Sequence, residues 1–235
     1  MTKPIIVGDS NDATVCTASN NQLETYIYFP TPVYKINKPE YLNDVRAVMT
    51  DKIDDVKKNN TLHPIYPVYQ TDTLLGIEQV KPFLDYIGST SWNVLESQGY
   101  DMDNFSVYFH EIWGQEHYKH SLHEEHVHGH GCQLVGFYFL DTPMDCGRLV
   151  IHDPRPAKRL VNPPEKDASL VSMGSTAINF ETTPGDLFIV PSWVPHSFSR
   201  HGSESPLRFI HFTIGLGPNA PSIDTDHPPP AVEIV

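Results

Sequence analysis

The sequence is poor in positive charge. Sixteen Lys and Arg stand against 29 Asp and Glu, which leaves a formal net charge of −13 at pH 7. That balance gives no electrostatic reason to expect a nucleic-acid or anionic-membrane partner, and it leaves a basic protein or peptide open. Cysteine is nearly absent. Cys16, Cys132 and Cys146 are odd in number and form no paired framework, which fits a reducing cytoplasm better than secretion. No apolar run approaches the roughly 20 residues that a spanning helix needs, and no signal-peptide pattern opens the chain. The protein is therefore expected to be soluble and cytoplasmic. Internal repeats and a clean linker are also missing, and 235 residues suffice for one substantial core.

What the sequence has in abundance is histidine, concentrated in one stretch. His123, His126, His128 and His130 fall within eight residues, directly before the apolar run Leu134 to Leu140. That run is rich in aromatic and branched side chains, free of proline, and reads as a strand. Strand side chains alternate, so His126 and His128 project to one face if the strand begins that early, and two imidazoles on one face can share a metal ion. His128 and His130 satisfy the same spacing. A third ligand candidate is His196, in GDLFIVPSWVPHSF, where Pro191 and Pro195 bracket a turn after a short apolar strand. Twelve positions on, Arg208 is a lone cation among Phe209, Ile210, Phe212 and Ile214. A buried Arg in such a run needs an anionic partner, and its guanidinium fork suits a carboxylate.

Elsewhere, residues 1–22 read as a poorly anchored lead-in, and Leu23 to Tyr34 as one or two short strands interrupted by Pro30 and Pro32. Apolar spacing in Tyr41 to Lys58 predicts an amphipathic helix, and Ile77 to Gln98 one or two more. Asn104 to Gly114 reads as a strand, and His117 to His130 as a polar loop holding the cluster. Strands then alternate with proline-rich turns to Leu216, which argues for a sandwich or barrel. The four prolines of Pro154 to Pro164 mark an insert or lid, and 217–235 an extended tail.

The order H-x-H, distal His, then Arg resembles the 2-oxoglutarate and Fe(II)-dependent oxygenases. The closer likeness is to a branch with H-x-H, G-x-Y-[FY]-L, D-P-R and G-D-L-x-x-x-P-S-W-x-x-H. Here these read His126-Val-His128, Gly136 to Leu140, Asp153-Pro-Arg155, and Gly185 through His196, with FPTPVY at Phe29 to Tyr34 resembling the branch's opening. The resemblance implies a mainly β (α+β) protein. A double-stranded β-helix (jelly-roll, cupin-like) core would cover 106–216, with residues 1–105 supplying strands and flanking helices of the same domain and 217–235 a proline-rich tail. It implies a hydroxylase that uses Fe(II), 2-oxoglutarate and O2. In that scheme His126, His128 and His196 hold the metal, Arg208 grips the cosubstrate's distal carboxylate, and Tyr138 lends it a hydroxyl.

Other readings stand beside this one. His123-Glu124-Glu125 spells H-x-E, the commoner start of the superfamily's triad, which makes Glu125 the alternative to His128. Asp153 and Arg155 are expected at a rim, touching substrate or each other. His110, His117, His120, His152, His201 and His211 read as structural or surface residues, and Trp113 and Trp193 as core. A three-histidine zinc hydrolase or lyase, or a non-catalytic cupin-like binder, are the competing functions.

Overall fold

The computed structural model describes residues 26–219. Within them a six-stranded and a four-stranded antiparallel sheet face each other across an aromatic core. The strands are β1 (Tyr34–Asn37), β2 (Val68–Thr73), β3 (Phe105–His117), β4 (His123–His126), β5 (Cys132–Asp141), β6 (Leu149–His152), β7 (Ala177–Phe180), β8 (Asp186–Pro191), β9 (His196–Phe198) and β10 (Leu207–Pro218). The large sheet runs β1-β8-β5-β10-β3-β2 and the small one β4-β9-β6-β7. This is the double-stranded β-helix.

Period-two alternation sorts the large sheet's side chains between two cores. Val135, Phe137 and Phe139 of β5 and Phe209 of β10 point inward, onto Leu149, Ile151 and Phe198 of the small sheet. Leu134, Tyr138, Leu140, Ile210, Phe212 and Ile214 point outward. They pack under helices α1 (Leu42–Asn59) and α2 (Lys81–Ser97), which bring Val45, Met49, Ile53, Phe83 and Ile87 down onto them. A sheet covered on both faces needs apolar residues at successive positions, which is why Leu134 to Leu140 is an unbroken buried run. At Gly136 the fit allows no side chain: a Cβ there would lie 2.1 Å from the Phe212 ring.

Several elements depart from the sequence reading. Residues 26–33 form no strand, and pairing begins only at Tyr34, past Pro30 and Pro32, which carry no N–H for a ladder. The stretch expected as a polar loop contains β4, and β9 is a three-residue strand too short for any periodicity to reveal. Of the one or two helices expected in Ile77 to Gln98, a single α-helix, α2, forms. Pro156–Val161 forms a short helix, α3, within the expected insert. Strands β1 and β2 are the two edges of the large sheet, so the described part of the chain before 106 shares that sheet with the core. The lead-in 1–22 and the tail beyond Asn219 lie outside the described residues.

Candidate metal and cosubstrate site

The small sheet carries the site. On β4 and β9, His126 and His196 are direct register partners, and Ile151 of β6 flanks His196 on the other side. His128 follows β4, held where its N–H donates to Ser192 O at 2.9 Å. One nitrogen from each of His126, His128 and His196 lies within 4.8 Å of the others. Carbonyl oxygens fix two of the rings. His196 Nδ1–H donates to Val194 O at 3.0 Å and His126 Nδ1–H to Glu124 O at 2.8 Å. A nitrogen facing a carbonyl must carry the proton, so in both rings Nε2 keeps its lone pair for a metal.

The donor set fits a divalent ion. Nε2 of His128 and of His196 are buried and have no hydrogen-bond partner in the protein. Buried polar atoms ordinarily find partners, and two such lone pairs converging on one point call for a cation. Burial also pushes His196 down to about 3 and His128 to about 4, so both stay neutral at physiological pH, as ligation requires.

Glu125 is not in the cluster. Arg159 grips its two oxygens at 2.6 and 2.9 Å, and His152 lies 3.5 Å away. His130 sits in the left-handed region (φ 53°) at a turn, also apart from the three. Of the rim pair, Arg155 forks onto Asp153 at 2.9 and 2.8 Å. Trp193 is not core but 47% exposed.

Two expected cosubstrate residues are not brought to the cluster. Arg208 lies on the outer face of β10 with Ile210 and Phe212. Its guanidinium donates to the buried Glu116 at 2.5 Å and approaches Asp141 at 3.7 Å. Lys57 of α1 and the Tyr118 hydroxyl complete Glu116's partners at 2.7 and 2.5 Å. Burial pushes this carboxyl up, but Lys57, Tyr118 and Arg208 together outweigh it and hold it below the ordinary carboxylate value. The anionic partner that the sequence demanded for Arg208 is thus a side chain on the neighbouring strand β3. Tyr138, likewise outward, gives its hydroxyl to Lys38 O at 2.7 Å and packs on Phe83. The physical reason is the same for both: a one-residue step along a strand changes the face.

The inner face of β10 carries His211, which the sequence reading took as a structural or surface residue. His211 is 6% exposed, stacks on Trp113 at 4.7 Å, and lies 5.1 Å from the His128 ring. Its parity with Phe209, opposite to Arg208, was the available signal.

Residues 111–212 match the model of a family described as "Putative 2OG-Fe(II) oxygenase". Over that stretch the chain is similar to 2-oxoglutarate/Fe(II)-dependent oxygenases. The fold is similar to solved structures at low identity. One is a Pseudomonas putida prolyl-4-hydroxylase (TM-score 0.52, 13% identical, covering 78% of this chain and 92% of that one). Another is a Trichoplax adhaerens prolyl hydroxylase in complex with a hypoxia inducible factor peptide fragment (0.52, 11%, 78% and 83%). A third is HygX of Streptomyces hygroscopicus with nickel, 2-oxoglutarate and hygromycin B bound (0.52, 13%, 79% and 83%). No curated protein sequence matches the chain. The three-histidine cluster fits a divalent ion such as the iron those proteins are described as using.

Proposed function

We propose that this protein is a hydroxylase that couples 2-oxoglutarate decarboxylation to oxidation of a basic protein or peptide. His126, His128 and His196 would hold the iron. The observation that carries this is the convergence of the three imidazoles, two with buried, unpartnered Nε2 atoms, at one end of an apolar barrel. When bound, iron and 2-oxoglutarate supply the oxidising chemistry. The chain's own part is placement and exclusion of water. Val194 O and Glu124 O hold two rings in the ligating tautomer. Phe137 packs against His196 at 5.4 Å, and Phe198 and Phe209 stack at 4.7 Å beneath the site. That dry floor lowers the local dielectric around the metal-binding atoms.

A groove of about 460 Å³ runs along β6, with Tyr28, Phe29, Ile151, His152, Asp153 and Met173 among its walls. Ile151 is the register partner of His196, so the groove starts beside the metal cluster. Its one carboxylate, Asp153, is already held by Arg155 and Lys158, so the preference for a basic chain rests on the overall net charge of −13. The peptide fragment in complex with the Trichoplax enzyme supports a polypeptide substrate. Cys132 and Cys146, both free, support a cytoplasmic setting.

The test is succinate release from 2-oxoglutarate under air, with Fe(II) or with Zn(II) added to metal-free protein, in the presence and absence of basic peptides. The expected result is Fe(II)-dependent succinate that rises with a basic peptide substrate and vanishes in His196→Ala. Tight Zn(II) binding with no consumption of 2-oxoglutarate under any condition would overturn the reading in favour of a zinc enzyme.

A further inference from the structure

Strands β2 to β10 contain a single Lys or Arg, Arg208, and it faces the helices rather than the metal cluster. Lys35, on edge strand β1, is paired with Asp186. An anion held against the barrel's inner wall therefore meets no Lys or Arg from those strands. Yet 2-oxoglutarate carries a second carboxylate, three carbons beyond its metal-binding end, and that group must be received by something.

The inner wall offers a row of neutral donors. Trp113, His211 and Phe137 lie abreast on β3, β10 and β5, and Thr213 is the next inward residue of β10. Trp113 Nε1, His211 Nδ1 and Thr213 Oγ1 are all buried and all without a hydrogen-bond partner in the protein. Thr213 is fully buried and His211 nearly so. One stranded polar group is tolerable, but three on adjacent positions of one wall, each needing a partner, describe a binding surface. The row begins beside the metal cluster, since the His211 ring is 5.1 Å from that of His128. Two further polar groups of β3 on this face do not compete, since Gln115 donates to Gln70 Oε1 at 3.1 Å and His117 is engaged. His117 donates from Nε2 to Gln115 Oε1 and accepts at Nδ1 from the Ser121 hydroxyl, so both its nitrogens are engaged at 3.2 Å.

We propose that Trp113 Nε1, His211 and Thr213 Oγ1 receive the far carboxylate of 2-oxoglutarate, in place of an arginine. The inference rests on the reading of this cluster as a 2-oxoglutarate site. Neutral donors suffice because a hydrogen bond to a charged group in a dry site is about twice as strong as one between neutral groups.

The experiment titrates Mn(II)-loaded protein with 2-oxoglutarate and with 2-oxovalerate, in which a methyl replaces the far carboxylate. Wild type should prefer 2-oxoglutarate. Thr213→Val and Trp113→Phe should each weaken 2-oxoglutarate by roughly tenfold to a hundredfold while leaving 2-oxovalerate unchanged. Thr213→Ser should restore the preference, and Arg208→Ala should not alter it. A purely structural role would weaken both ligands alike, and Mn(II) affinity measured on the same samples reports whether the metal cluster is intact. Equal preference in wild type, Thr213→Val and Trp113→Phe would overturn the proposal while leaving the 2-oxoglutarate site standing. Loss of the preference in Arg208→Ala alone would overturn it in favour of the arginine. Failure of wild type to bind 2-oxoglutarate at all would overturn both.

Discussion

The two faces of β10 differ by a single step along the chain and carry unrelated chemistry. Outward stand Arg208, Ile210, Phe212 and Ile214, where an ion-pair network with Glu116, Lys57 and Asp141 pins the sheet to α1 over an apolar layer. Inward stand Phe209, His211 and Thr213, where polar atoms are left without partners beside the metal cluster. A saturated face is a structural face. A face with buried, unsatisfied donors is one that waits for a ligand. The same contrast separates Tyr138, whose hydroxyl is satisfied by Lys38 O, from its inward neighbour Phe137, which packs on His196.

The comparison breaks most severely at Glu116. Glu116→Ala leaves Arg208 and Lys57 without their buried anion, and removing one partner of such a network costs about 3–5 kcal/mol. Urea unfolding measures this, and Mn(II) affinity of the folded fraction should be unchanged. A loss under about 1 kcal/mol would mean the outward network is ornamental, as exposed pairs are.

Inward, the histidines make stability depend on pH. His117 is buried and held neutral down to about 3, chiefly by burial, whereas in the unfolded chain it takes a proton near 6.5. Its folded value is depressed, so its contribution is complete above about 6.5 and is lost as pH falls toward 3. Each pH unit below 6.5 costs about 1.4 kcal/mol, or about 2 kcal/mol at pH 5. Metal-free protein should lose at least this much between pH 7 and 5, and His117→Gln should flatten the slope. A pH-independent unfolding free energy over that range would contradict the neutral, buried assignment.

Gly136 tests the packing of the outward face. Gly136→Ala forces a Cβ into the Phe212 ring, and overpacking of that kind costs about 1–3 kcal/mol. Calorimetric melting checks it, and an unchanged melting temperature would show that the ring moves aside freely. The smallest effect belongs to Tyr138→Phe, which removes one hydrogen bond to Lys38 O and should cost about 1 kcal/mol. Affinity for 2-oxoglutarate should not change. A tenfold loss there would return Tyr138 to the cosubstrate.

The fold and the metal cluster were legible in the sequence for different reasons. The apolar runs Leu134 to Leu140 and Leu207 to Leu216 announce buried strands by composition, and α1 by its spacing. His126, His128 and His196 were found by residue type, spacing and turn context, all local properties. What escaped depended on register. Whether Arg208 or His211 faces inward is decided by how β10 pairs with β3 and β5, where the register shifts at Thr213/Ile214, Arg208/Phe209 and Ile214/Gly215. No local pattern fixes that parity. Glu116, the true partner of Arg208, lies 92 positions away and becomes its neighbour only through the sheet.

Equilibrium binding of Mn(II) to metal-free protein tests the central claim most directly. The account predicts one ion per chain in wild type and in Arg208→Ala, and none at comparable concentration in a folded His196→Ala. Undiminished binding by His196→Ala, or binding that depends on Glu125 instead, would contradict it.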